Sequence, residues 1–144
     1  MPANVSNPDF ERTVRESFAR QSLMTLFSAE LTRVAPGEVD VELPFRADLG
    51  QQNGLLHAGV VTTIADVACG YSALTLMPAA ADVISVEFKL NLLAPGRGDR
   101  FVARARVIRA GRAITVCRAD VFAIASGNET LIATMLATMM QRTP

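Results

Sequence analysis

The sequence predicts an α+β domain in which one long central helix is wrapped by a curved antiparallel sheet of five to six strands. The first observation is the stretch 58–76, which is small or apolar nearly all the way round: Val60, Val61, Ile64, Ala65, Val67, Ala68, Cys69, Ala73 and Leu74 leave no broad charged face. A helix of that kind is buried rather than laid on a surface. The second is the run from Asp82 to Met140, where apolar and polar residues alternate at the period of half-buried strands. The third is the shortness of the turns between those strands, because short hairpins require antiparallel neighbours. One helix against one such sheet is a two-layer arrangement, and the sheet's curvature accounts for a helix with so little polar surface.

A chain of 144 residues supports one domain with a sizeable core. Fourteen basic and fourteen acidic side chains balance to a formal charge of zero, which argues against nucleic acid or an anionic membrane surface as the main partner. Hydrophobic residues make up 50% and charged ones 19%, so apolar surface is expected between subunits of an oligomer. The most apolar window contains Asp66 and many small residues, which reads as a core helix and not a membrane span. The N-terminus carries acids and has no apolar core of a secretory signal. Cys69 and Cys117 lack CxxC or metal-ligand spacing, so two buried free thiols in a reducing, cytoplasmic setting are expected, with no metal.

In chain order, residues 1–22 form an N-terminal helical segment, capped at Asn7 or Asp9, with Phe10, Val14 and Phe18 at helical spacing. Residues 23–144 form the single main domain. Leu23 to Val34 fits an irregular strand, Pro36-Gly37 a turn, and Val39, Val41 and Leu43 a half-buried strand. The polar segment 46–54 is a loop that delivers the chain into the central helix. After Pro78, residues 82–93 show the cleanest strand pattern, with Ile84, Val86, Phe88, Leu90 and Leu92 on one face and Ser85, Glu87, Lys89 and Asn91 on the other. Ala94-Pro95-Gly96, Gly111-Arg112 and Ser126-Gly127-Asn128-Glu129 turn the chain between the remaining strands. Arg97, Arg100, Arg104, Arg106, Arg109 and Arg112 read most simply as a solvated face.

Within the buried helix stands one carboxylate, Asp66, and at its start one imidazole, His57. Burying an ionised carboxylate costs several kcal/mol unless something compensates it, so a lone acid there points to catalysis. The simpler reading is a structural acid bonded to Thr62, Thr63 or a neighbouring subunit, and for His57 a helix cap. A helix N-terminus presents unpaired N–H groups and the positive end of a dipole, suited to an oxyanion developing on a carbonyl.

The segment Gly54-Leu55-Leu56-His57-Ala58-Gly59-Val60, followed by Asp66, resembles the central-helix signature of the hotdog-fold thioesterases, in particular the PaaI-like acyl-CoA thioesterases. Residues 84–96, ISVEFKLNLLAPG, resemble that family's strand after the helix. The resemblance implies a hotdog fold and hydrolysis of an acyl-CoA to free acid and CoA. It needs no cofactor, coenzyme A being part of the substrate. It makes Asp66 the general base or the nucleophile, and the Ala58 N–H the donor that polarises the thioester carbonyl. His57 then orients the loop or touches the thioester, Gln51 supplies the loop amide and Ser85 positions water. Which of Gln51, Gln52 and Asn53 faces the site is left open, and Ala58 stands where the family has glycine. Asn53, Gly59, Tyr71 and Phe88 are candidate substrate contacts, with Leu74 also in the pocket wall. In similar proteins these groups meet across a dimer interface and two dimers commonly form a tetramer, so the resemblance implies a homodimer or homotetramer. Two other activities use the same fold: a hydratase or dehydratase of acyl thioesters, and a non-catalytic acyl-CoA binding protein.

Overall fold

The structure, a computed structural model, describes residues 4–144. The expected N-terminal segment is therefore described from residue 4 onward, residues 1–3 lying outside the described residues. Helix α1 (Phe10–Ala19) opens the chain, with Asn7 Oδ1 accepting the Asp9 N–H just before it. Val14 on its inner face is fully buried. Phe18 lies against Tyr71 with ring centroids 6.0 Å apart, which ties α1 to the central helix.

A short helix α2 (Ser22–Leu26) follows, then β1 (Glu30–Ala35) and β2 (Glu38–Pro44). This corrects the strand expected over Leu23 to Val34: only its second half is extended, and α2 spans the expected boundary at residue 22. The helix stops in a Schellman motif, with Ala29 N–H donating to Met24 O at 2.9 Å and Ser28 N–H to Thr25 O at 3.1 Å. The left-handed residue of that motif is Ser28, at φ 56°, where a glycine would have signalled the stop. Arg46 Nη1 donates to Leu26 O and Ser28 Oγ, at 2.9 and 2.8 Å, and holds the helix end.

The long helix is α3 (Ala58–Leu74). Behind it come β3 (Asp82–Leu92), β4 (Arg100–Ala110), β5 (Ile114–Ala125) and β6 (Asn128–Arg142). All six strands form one antiparallel sheet in the order β1-β2-β4-β5-β6-β3. The turn between β5 and β6 is two residues long, Ser126 at φ 51° and Gly127 at φ 79°, the pair of left-handed conformations whose twist matches a tight hairpin. Small side chains on the concave face, Ala103, Ala105, Ala119, Ala133 and Ala137, are buried beneath the helix and let it sit close. Ile64, Ala65, Ala68 and Cys69 of α3 meet them, all fully buried. No helix among the described residues is long and apolar enough to cross a membrane.

Both cysteines are free and buried. Burial pushes both thiols up, that of Cys117 to about 11 against a help from the Ser72 hydroxyl, so both stay protonated at neutral pH. Native protein should therefore resist iodoacetamide at pH 7.5 and take up two equivalents only after unfolding. Rapid labelling of folded protein, counted by mass spectrometry, would contradict this.

Candidate active site

The loop entering α3 is pinned from two directions. His57 N–H donates to Leu49 O at 3.0 Å, and Leu56 N–H donates to Gly96 O at 2.9 Å in the β3–β4 connection. His57 is then the N-cap, extended at φ −63° and ψ 136°, and its Nδ1 accepts the Gly59 N–H at 2.8 Å. A ring that accepts at Nδ1 carries its proton on Nε2. The imidazole lies over Gly59 so closely that a Cβ there would stand 3.0 Å from Nδ1 and would press on the capping ring. The N–H groups of Val60 and Val61 both reach His57 O, at 2.9 and 3.2 Å. Among the described residues the Ala58 N–H has no acceptor, and Ala58 faces a groove of about 390 Å³ lined also by Gln51, Leu55, Leu93, Pro95 and Ile132. The helix dipole adds a positive end at this point.

The capping bond gives the simpler reading of His57 a geometry, and a substitution series separates it from chemistry by the ring. His57→Ala should cost about 1 kcal/mol of stability, the scale of a lost cap, and lower kcat by loosening the helix start that carries the Ala58 N–H, while His57→Asn, which caps well, should restore both nearly to wild type. An Asn variant as impaired as the Ala variant would mean that the ring itself meets the substrate.

Asp66 lies on a stripe of α3 with Thr62, Thr63, Val67 and Gly70 that is only half-buried, beside exposed Gly59. The all-round burial expected of this helix thus fails along one stripe, because a single sheet covers only one side of it. Thr62 and Thr63 turn their hydroxyls back to Ala58 O and Gly59 O, at 2.7 and 2.8 Å, and neither bonds Asp66. The acid is instead held by Ser85, whose Oγ donates to Asp66 Oδ1 at 2.6 Å. Oδ2 takes no hydrogen bond among the described residues.

Ser85 reaches the acid because of a β-bulge. The pairing of β3 with β6 slips between Ser85 and Glu87: Ser85 stands opposite Met139, Glu87 opposite Thr138 and Phe88 opposite Ala137. Met139 and Ala137 are fully buried on the concave face. Val86 is thus the extra residue, and Ser85 joins Phe88, Leu90 and Leu92 on the helix side. The unbroken alternation expected for this strand, with Ser85 beside Glu87 and Lys89, is corrected accordingly. Bulges re-aim side chains in this way next to functional sites.

Asp66 opens into a second depression of about 190 Å³, lined also by Ser17, Gln21, Gly70, Tyr71 and Ser85. It is not the groove that Ala58 faces. Eight residues separate Ala58 from Asp66, a rise of about 12 Å along the axis, with the two positions roughly 80° apart around it. A base must lie within hydrogen-bond reach of its proton, so one chain does not bring both groups to one carbonyl.

Of the other expected contacts, Gln51 lines the Ala58 groove, and its Oε1 accepts the Asn53 N–H. Gln52 and Asn53 are exposed. Phe88 is 42% exposed on the edge strand, while Leu74 is in the core. Tyr71 is buried and its hydroxyl is bonded to Ser17 Oγ at 3.0 Å and to Gln21 Nε2 at 2.8 Å. Sequence reasoning missed Ser17 and Gln21. The signal available was their place three residues beyond Val14 and Phe18, on the same side of the N-terminal helical segment.

A family model described as thioesterase superfamily matches residues 53–128, from the loop before α3 to the start of β6. The chain belongs to the thioesterase superfamily. A thioesterase family protein from Silicibacter pomeroyi has a solved structure that is similar at 45% identity, with a TM-score of 0.93 over 94% of this chain and 99% of that one. The Escherichia coli PaaI protein shares the fold, with a TM-score of 0.83 over 95% and 96% of the two chains at 14% identity. The medium/long-chain acyl-CoA thioesterase YigI of Salmonella typhimurium is 30% identical over 60% of this chain and 62% of its own length. The fold of this superfamily member is the hotdog arrangement, a six-stranded curved sheet around α3.

Proposed function

We propose that this thioesterase-superfamily protein hydrolyses acyl-CoA thioesters in sites shared by two copies of the chain, Ala58 coming from one and Asp66 from the other. The observation that carries this reading is the pair of complementary half-sites on α3: an N–H without an acceptor at one end, and a serine-held carboxylate about 12 Å away. Each half lacks what the other supplies. Strand β3 suits the role of junction, being an edge of the sheet with Val86, Phe88 and Leu92 between 42% and 56% exposed. A long apolar edge strand is a template for pairing with another chain. The half-covered stripe of α3 lies beside it and would be covered in the same assembly, a dimer or a pair of dimers. The name of the YigI relative supports a CoA thioester as substrate. Two buried free thiols fit a reducing, cytoplasmic setting.

In this site the thioester carbonyl oxygen accepts the Ala58 N–H, which stabilises the negative charge it gains as the carbon becomes tetrahedral. Within the copy that supplies Asp66, its own Ser85 fixes Oδ1 and leaves Oδ2 free. As a general base, Asp66 takes a proton from water while the water oxygen bonds to the carbonyl carbon. The C–S bond then breaks, CoA leaves as the thiol and the acid is released. As a nucleophile, Asp66 would instead form a mixed anhydride that water opens. A single turnover in ¹⁸O-water separates the routes, because only the second can place label in the Asp66 carboxylate.

The test of the function is thiol release from a panel of acyl-CoAs, run beside hydration of an enoyl-CoA. The proposal expects free CoA and free acid in equal amounts. Hydration without thiol release would make the protein a hydratase, and tight binding with neither reaction would make it an acyl-CoA binding protein.

A further inference from the structure

The depression beside Asp66 has a chemical character of its own at its far end. From Asp66 it runs along α3 to Gly70 and Tyr71, five residues or roughly 7.5 Å of helix. Gly70 leaves it open: a Cβ there would meet nothing nearer than Val83 Cγ1 at 4.0 Å, so neither packing nor backbone conformation calls for glycine. At the end stand the Tyr71 hydroxyl, the Ser17 hydroxyl and the Gln21 amide, joined by bonds of 3.0 and 2.8 Å. Three such groups carry more donors and acceptors than those two bonds use. One hydroxyl proton, one amide N–H and the Gln21 carbonyl oxygen remain for a ligand. Asp66 and Asp82 also line the depression, and no Lys, Arg or His among the described residues does.

We propose that this depression is the acyl chamber and that it selects short, uncharged acyl chains ending in a hydrogen-bonding group, a hydroxyl or a carbonyl. The inference rests on the reading of Asp66 as the acid at the reacting carbon. At roughly 1.2 Å per bond of an extended chain, 7.5 Å admits about six bonds beyond the thioester carbon. A terminal hydroxyl at that distance replaces the water lost by the Ser17–Gln21–Tyr71 group. A terminal methyl leaves that group without a partner, the situation in which polar sites discriminate most. A terminal carboxylate enters a depression whose charged lining residues are Asp66 and Asp82, and is disfavoured by like-charge repulsion with no cation to offset it.

Non-hydrolysable CoA thioethers test the chamber without requiring turnover. Titration calorimetry on the wild-type protein should rank S-(6-hydroxyhexyl)-CoA tightest, S-hexyl-CoA about fivefold or more weaker, and S-(5-carboxypentyl)-CoA weakest. Gln21→Leu should bring the first ratio close to one. Equal affinities, a preference for the plain or the carboxylate chain, an unchanged ratio in Gln21→Leu, or no binding of any analogue would each overturn the inference. Turnover of the matching thioesters reports separately on hydrolysis. The predicted binding order without turnover would remove the hydrolase reading and keep the chamber, whereas turnover without the order would do the reverse.

Discussion

Asp66→Asn should lower kcat by a hundredfold or more while leaving fold and assembly unchanged, the scale of losing a positioned base. The substitution is nearly isosteric, and the amide oxygen can still accept the Ser85 hydroxyl that now meets Oδ1 at 2.6 Å. Nothing else in the protomer depends on the charge, since Oδ1 makes the only hydrogen bond of this carboxylate among the described residues and no ion pair there involves it. What the amide lacks is basicity. KM should therefore change little, and circular dichroism and sedimentation should match wild type. A variant that keeps activity to within a few-fold would make Asp66 a structural acid and end its catalytic assignment.

Ala58→Pro should lower kcat by a further route, by about a hundred- to a thousandfold, the loss that follows removal of one oxyanion donor. Proline suits this position in every other respect. Ala58 is the first residue of α3, where proline's fixed φ is pre-organised for a helix. The preceding His57 is already extended at ψ 136°, the conformation that a following proline requires. The N–H removed has no acceptor among the described residues, so folding loses no hydrogen bond there. Ala58→Gly keeps the N–H and should show at most a modest loss from added backbone freedom. A folded, assembled Ala58→Pro protein with near wild-type turnover would place the carbonyl elsewhere.

The central helix and the antiparallel sheet were legible because both depend on local pattern: a helix without a polar face, and alternation in β2, β4, β5 and β6 bounded by Pro and Gly turns. The candidate residues were named from the resemblance carried by His57, Gly59 and Asp66, and their roles belong to the proposal. Features that depend on distant partners were not. The stop of α2 uses Ser28 in a left-handed conformation and a guanidinium from Arg46, so no glycine marked it. The bulge at Val86 exists only in the pairing of β3 with β6, and without it Ser85 would face away from Asp66. Ser17 and Gln21 meet Tyr71 across 54 and 50 residues, and the helical spacing from Val14 and Phe18 marks their side of the segment but not that partner. The open stripe around Asp66 was hidden for another reason. Thr62, Thr63, Val67 and Gly70 are small enough for a core and only Asp66 among them is charged, so α3 read as buried on every side.

Subunit complementation tests the two-chain site most directly. Asp66→Asn and Ala58→Pro proteins, each assembled and nearly inactive alone, are unfolded together in equal amounts and refolded as a mixture. If each site takes Ala58 from one chain and Asp66 from the other, every mixed pair contains one intact site and one doubly defective site. Random pairing of the two variants then restores about a quarter of wild-type activity. If both groups serve within one chain, every site in the mixture carries a defect and the activity stays at the level of the two parents. A return to about a quarter is the predicted result, and no gain over the parents would contradict the shared site.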